Sequence, residues 1–191
     1  MSGSGVKAAP WALLDGTVKG VAKKHSQDSS GARLLPVDDA HAVVLAVADG
    51  HGSAPHFRSD LGARWAVEEF TACAAAFGRE AVRSGKDAVA WPALLARARG
   101  LPRWVAHRWR ERVLLHDASS PAHGVPIGRR AGGESADLVP YGSTLVGAVV
   151  TEHLLVCWQL GDGDVVLIDG TGAPHTPFFS GPELGDETDS L

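Results

Sequence analysis

The stretch His41-Ala-Val-Val-Leu-Ala-Val47 is apolar at odd and even positions alike and carries three valines. A half-exposed strand alternates apolar and polar residues, so this run predicts a central strand covered on both faces. Its surroundings have to supply two apolar layers. A chain of 191 residues can do so without covalent staples, because chains near 150 residues bury roughly 68–70% of their unfolded surface. The strand is predicted to halt at Ala48-Asp49-Gly50-His51-Gly52, where an aspartate and two glycines end regular pairing.

Elements of other periods flank this strand. Leu61, Trp65, Ala66, Glu69, Phe70 and Cys73 fall at helical spacing, with Ser59 as the expected N-cap and Gly78 as the expected end. A second helical pattern runs through Trp91, Leu94, Leu95 and Ala98, and Gly100 and Pro102 read as a stop and a restart. The restarted helix, from Pro102 to about His116, buries Trp104, Val105, Trp109, Val113 and Leu114 and leaves Arg103, Arg108, Arg110, Glu111 and Arg112 as a solvated face. Before Pro36 the chain is turn-rich, and Asp28-Ser29-Ser30-Gly31 reads as one turn. Strands are predicted at Thr144–Val150, Leu154–Leu160 and Val165–Ile168, the last two joined by Gly161-Asp-Gly-Asp164 as a hairpin turn. Residues 118–138, rich in Gly, Pro, Ser and Ala, are expected to be a flexible loop within a single domain spanning 1–191, and the tail from Gly170 is polar and turn-like.

Composition excludes several classes. With 45% hydrophobic and 21% charged residues, the chain is globular rather than disordered. Its 18 Lys plus Arg against 22 Asp plus Glu leave a net charge of −4, which gives no global attraction to nucleic acid or anionic membrane. Two cysteines, Cys73 and Cys157, make no disulfide framework and fit a reducing compartment as small buried hydrophobes. Met1–Gly5 lacks a secretory pattern, and the longest apolar run is far too short to span a bilayer. A cytoplasmic protein without nucleic-acid or membrane partners is expected.

Three segments carry chemistry. A carboxylate at the tip of a rigid strand followed by glycine, Asp49-Gly50, presents a side-chain oxygen and a bare backbone carbonyl, the ligands that hard cations such as Mg2+ and Mn2+ take. His51 beside them can exchange protons near neutrality. The same four residues also suit a plain turn. Tyr141-Gly142-Ser143-Thr144 and Gly161-Asp162 follow in order, and Lys23-Lys-His-Ser-Gln27-Asp28 precedes. His107 and His116 read as surface or capping histidines rather than ligands.

Taken in this order, Gln27-Asp28, Asp49-Gly50-His51-Gly52, Gly142-Ser143-Thr144 and Gly161-Asp162 resemble the protein phosphatase 2C family of metal-dependent serine/threonine phosphatases. The closing Glu187-Thr-Asp-Ser-Leu191 is similar to a segment of a bacterial branch. The resemblance implies an α+β fold of two packed antiparallel β-sheets flanked by helix pairs, an αββα sandwich. It also implies hydrolysis of phosphoserine and phosphothreonine in proteins by a metal-activated water. By that resemblance Asp49 would bridge two Mn2+ or Mg2+ ions and Gly50 would give its carbonyl to one of them. His51 would be the general acid, Asp28 would hold a water ligand of the metals, and Asp162 would bind a third metal found in some members. Phosphorylated proteins, and a cognate kinase, are the implied partners.

Two departures bear on that expectation. Where the family places an arginine for substrate phosphate, this chain has Lys23, which offers a point charge in place of a bidentate fork. The family's two late aspartates do not appear before Leu191, so the C-terminal part of the fold is expected to be missing. The alternative implied is an inactive phosphatase-like module that binds phosphoproteins or a kinase; the intact Asp49, Gly50, His51 and Asp162 oppose it. An unrelated α/β protein with turn-type Asp-Gly sequences is the third reading.

Overall fold

Strands β1 (Ser29–Val37), β2 (Ala40–Ala48), β3 (Leu145–Val150) and β4 (Leu155–Leu160) form an antiparallel sheet in that order in a computed structural model of the chain. It describes residues 11–21, 25–84, 86–121 and 138–178. β1 and β2 pair from Val37 opposite Ala40 to Ser29 opposite Ala48, leaving Asp38 and Asp39 as a two-residue turn. Asp38 takes the left-handed φ of 53° that such a tight turn demands.

The expected turn at Asp28–Gly31 is therefore corrected: Ser29–Gly31 open an edge strand. An edge strand tolerates Pro36, because one row of its N–H groups has no neighbour to bond. Gly31 is there for space, since a Cβ would stand 2.8 Å from Val67 Cγ1.

Helix α1 (Ser59–Ser84) lies on one face of the sheet, and α2 (Trp91–Ser119) packs against α1. Ala42, Val44, Ala46 and Ala48 of β2 share a core with Ala63, Ala66, Phe70, Ala74 and Phe77 of α1 and with Leu94, Leu101, Val105 and Trp109 of α2. Small residues let α1 approach closely: a Cβ at Gly147 would fall 2.2 Å from the Phe70 ring. Gly78 belongs to the same contact, where a Cβ would stand 3.1 Å from the Ala42 Cβ, and so it packs rather than ending the helix as its type predicts. Four arginine–glutamate contacts pin α2 to α1: Arg97 to Glu80 (2.7 Å), Arg108 to Glu69 (2.6 Å), and Arg112 to Glu68 (2.6 Å) and Glu69 (3.2 Å). Arg108 and Arg112 are thus interhelical contacts rather than a merely solvated face.

The stop and restart expected at Gly100–Pro102 is also corrected. α2 runs straight through both residues. Pro102 has no N–H to donate to the Ala98 carbonyl one turn back. That carbonyl accepts instead from the Trp158 indole Nε1 at 2.9 Å, so the missing helical bond is replaced from β4.

β2 is apolar on both faces, yet the two faces fare differently. The helix side is fully buried, whereas on the other side Val43 is buried but Leu45 and Val47 remain 37% and 52% exposed. The second sheet is small, β5 (Leu167–Ile168) pairing with β6 (Pro174–His175). Its turn is organised by Asp169, which accepts from Thr171 and His175; these bonds hold its carboxyl well below the usual carboxylate range. Among the described residues no helix is long and apolar enough to cross a membrane.

Gly161–Asp164 does not join a hairpin, because β5 pairs with β6 and not with β4. The Gln159 amide donates to the Gly161 and Gly163 carbonyls at 3.1 and 2.7 Å, and both glycines take positive φ, 85° and 117°. The segment curls against Val146 of β3 instead of continuing the ladder.

Candidate active site

That curl has a result for chemistry. Asp162, on the loop after β4, lines the same cavity as Asp49, just past β2, and Asp28, just before β1. The cavity holds about 330 Å3 and includes Thr144, Val47 and Val146, which place it at the less covered face of the sheet. Gly16, Thr17 and Val18 complete its wall.

The backbone around Asp49 is held at both polar atoms. Its N–H donates to Thr144 Oγ1 at 3.0 Å, and its carbonyl accepts from the Thr144 N–H at 2.9 Å. At Gly50 the N–H donates to the Gln27 carbonyl at 3.2 Å, and a Cβ would lie 2.7 Å from both the Gln27 and Ser59 carbonyl oxygens. Only glycine fits this junction. His51 donates its N–H to the Gly142 carbonyl at 3.3 Å, while its own carbonyl accepts from Ser59 Oγ (2.9 Å) and Gln27 Nε2 (3.1 Å). Ser59, expected as a helix cap, is instead the first residue of α1 and spends its hydroxyl on His51.

The His51 imidazole meets His56 edge-on, ring centres 4.7 Å apart. Gly142 lies against both rings; a Cβ there would stand 3.0 Å from the Cδ2 of each. His56 Nδ1 is 2.7 Å from Ser53 Oγ. Asp28 Oδ2 accepts from Ser26 Oγ at 3.4 Å.

The structure therefore brings Asp28, Asp49 and Asp162 into one cavity. Gly50 and His51 follow directly on the Asp49 strand tip but are not part of the cavity lining. Lys23 lies outside the described residues, as do Asp186 and Asp189 and most of 118–138. Sequence reasoning misses His56 and the Thr144 hydroxyl and reads Ser59 only as a helix cap. Thr144 had a signal in Gly-Ser-Thr.

The donors present are carboxylates with the Gly50 carbonyl, which accepts no hydrogen bond among the described residues. An all-oxygen set of this kind fits a hard divalent cation and not a thiolate-seeking one. Among the described residues no three acidic, imidazole or thiol side chains converge on one point. The fit is to an ion that keeps much of its water, as Mg2+ does.

Burial lowers the pKa of His56, with His51 adding to the effect, and burial followed by the Arg58 charge lowers that of His116. Burial raises the thiol pKa of Cys73 and Cys157, so neither is an activated nucleophile. Below the ordinary imidazole value of about 6.5 the unfolded chain binds protons that folded His56 and His116 resist. Stability is expected to fall as pH drops from 6.5 through their lowered folded values. The Asp169 contribution persists there, being lost only below the ordinary carboxylate range. Melting followed from pH 7.5 to 5 should show that decline, and His116→Asn should flatten it; a level wild-type profile refutes the assignment.

The sequence profile of the family described as protein phosphatase 2C matches residues 16–188 of the chain. No curated protein matches it.

Proposed function

The chain belongs to the protein phosphatase 2C family, and from that premise we propose that it is a single phosphatase-type domain that hydrolyses phosphoserine and phosphothreonine in proteins with Mn2+ or Mg2+. The observation that carries the reading is that Asp28, Asp49 and Asp162, from three separate stretches of chain, line one cavity. When bound, the divalent cations supply positive charge to the phosphoryl group and lower the pKa of water.

The chain's own residues do the rest. Asp49 and the Gly50 carbonyl hold the principal cations, Asp162 holds a further one, and Asp28 orients water at the cavity wall. His51 donates a proton to the seryl or threonyl oxygen as it leaves. Lys23 meets the substrate phosphate as a point charge. The Thr144 clamp and the Ser59 and Gln27 bonds fix the backbone that carries Asp49 and His51, so little reorganisation is needed at reaction. Partners are phosphorylated proteins, with a cognate kinase as the enzyme whose product this one consumes.

Hydrolysis of a phosphothreonine peptide by the 191-residue chain, with and without Mn2+, tests the proposal. Metal-dependent phosphate release supports it. A folded chain that binds the phosphopeptide without turnover supports the non-catalytic module in its place.

Gly142 offers a second check. Its φ of −53° is open to any residue, so glycine is needed there only for space between His51 and His56. Gly142→Ala should leave the fold intact and reduce kcat by about 10- to 100-fold, because small misplacements of reacting groups are costly. A kcat within twofold of wild type shows that the Gly142 contact does not set the position of the His51 ring.

A further inference from the structure

One polar cluster beside the site takes no part in the chemistry proposed above. Tyr141 is fully buried, and its hydroxyl is bonded by Arg58 Nη1 at 2.6 Å and paired with His116 Nδ1 at 2.9 Å. Arg58 also donates from Nη1 to the Ser120 carbonyl at 2.7 Å and from its backbone N–H to the Pro140 carbonyl at 2.9 Å. It stands 3.8 Å from the wholly buried Asp117, and its own side chain is only 17% exposed. Trp65 stacks on the Tyr141 ring, centres 5.8 Å apart.

The Arg58 guanidinium is partly buried, and a fork shared among several acceptors is what Arg, and not Lys, provides. The position of this fork matters. Ser120 is where the chain leaves α2, and Tyr141 stands just ahead of β3, so one side chain ties both points. Tyr141 is followed immediately by Gly142, Ser143 and Thr144. Gly142 bonds the His51 backbone and spaces the two imidazoles, and Thr144 bonds the Asp49 backbone.

We infer that Arg58 is a positioning residue of the site, acting through Tyr141 on Gly142–Thr144 and thereby on Asp49 and His51. The inference rests on the catalytic reading of those two residues. The Tyr141 and Ser120 bonds belong to the Arg58 side chain, whereas the Pro140 bond is made by its backbone N–H and survives substitution.

Arg58→Lys keeps a cation near Asp117 and loses the fork. The variant is compared with wild type and with Trp158→Phe, which removes the distant bond to Ala98 and serves as a control for lost stability. The readouts are kcat and KM for the Mn2+-dependent phosphothreonine-peptide reaction, and amide chemical shifts of the metal-free chains. For Arg58→Lys, kcat should fall about 10- to 100-fold, the range seen when groups behind a metal site are removed. KM should be nearly unchanged, and the His51 and Thr144 amides should shift. Trp158→Phe should melt earlier with kcat and those amides unaltered. Equal kcat for the two variants, or shifts confined to residues 116–120 and 141, overturns the inference. If wild type shows no turnover, the phosphatase reading fails; the amide shifts of Arg58→Lys then decide the positioning role alone. Should Arg58→Lys not fold, Tyr141→Phe, which removes only the hydroxyl, answers the same question by the same readouts.

Discussion

Asp49→Asn is expected to abolish Mn2+-dependent phosphate release, by more than about 10³-fold, while leaving the fold in place. Losing one electrostatic donor at a reacting centre already costs about 10²- to 10³-fold. Here a full negative charge is removed from the cavity that three carboxylates share. The substitution should be structurally quiet, because both hydrogen bonds to Thr144 are made by the Asp49 backbone. Melting and Mn2+ titration calorimetry distinguish the cases. An unchanged melting temperature with Mn2+ binding weakened and turnover gone is the expected result. Turnover within tenfold of wild type would exclude Asp49 as a metal carboxylate.

The second large effect is on stability. Gly62→Ala places a Cβ 1.7 Å from the Tyr141 carbonyl oxygen. Neither side is free to yield. The Trp109 indole N–H is bonded to the Gly62 carbonyl at 3.0 Å, and Tyr141 is held by Arg58 and His116. Overpacking of this kind costs about 3 kcal/mol, which lowers the melting temperature of a domain this size by about 6–12 °C. Because the residue displaced is the one before Gly142, activity should fall further than stability does. A melting temperature within 2 °C of wild type would show that the Val139–Tyr141 turn moves aside without penalty.

How far local sequence carries the fold depends on where each residue's reason lies. The tip of β2 is readable because an apolar run meeting Asp-Gly-His-Gly has few other uses, and the α1 and β3 patterns are periodic enough to stand alone. β1 is not readable: Ser29-Ser30-Gly31 and Pro36 are turn residues by local preference. They are permitted in a strand only because it lies at the sheet edge and because Gly31 makes room for Val67. Gly78 misleads in the same way, since its reason is Ala42 across the helix–sheet contact. The candidate site divides likewise. Asp28, Asp49 and Asp162 stand out by motif, while the cavity they line is formed only once β1, β2 and β4 are in place. Arg58 matters through Tyr141, far away in sequence, the local pattern at Ser59 marks it only as a helix cap, and nothing local sets His56 apart. The curl of Gly161–Asp164 depends on the Gln159 amide, a contact that turn statistics do not include.

The borrowed hydrogen bond in α2 has a consequence for the order in which the protein is made. Ala98 receives its donor from Trp158, 60 residues further along the chain. A nascent chain that has emerged only as far as Ser119 does not yet contain that donor. Its first half, residues 91–99, is too short to be firm alone, and it meets the second half at Gly100–Pro102 with the Ala98 carbonyl not yet answered by Trp158. The rod becomes whole only once β4 has left the ribosome and found its place, so a helix complete early in sequence is among the last parts complete in time.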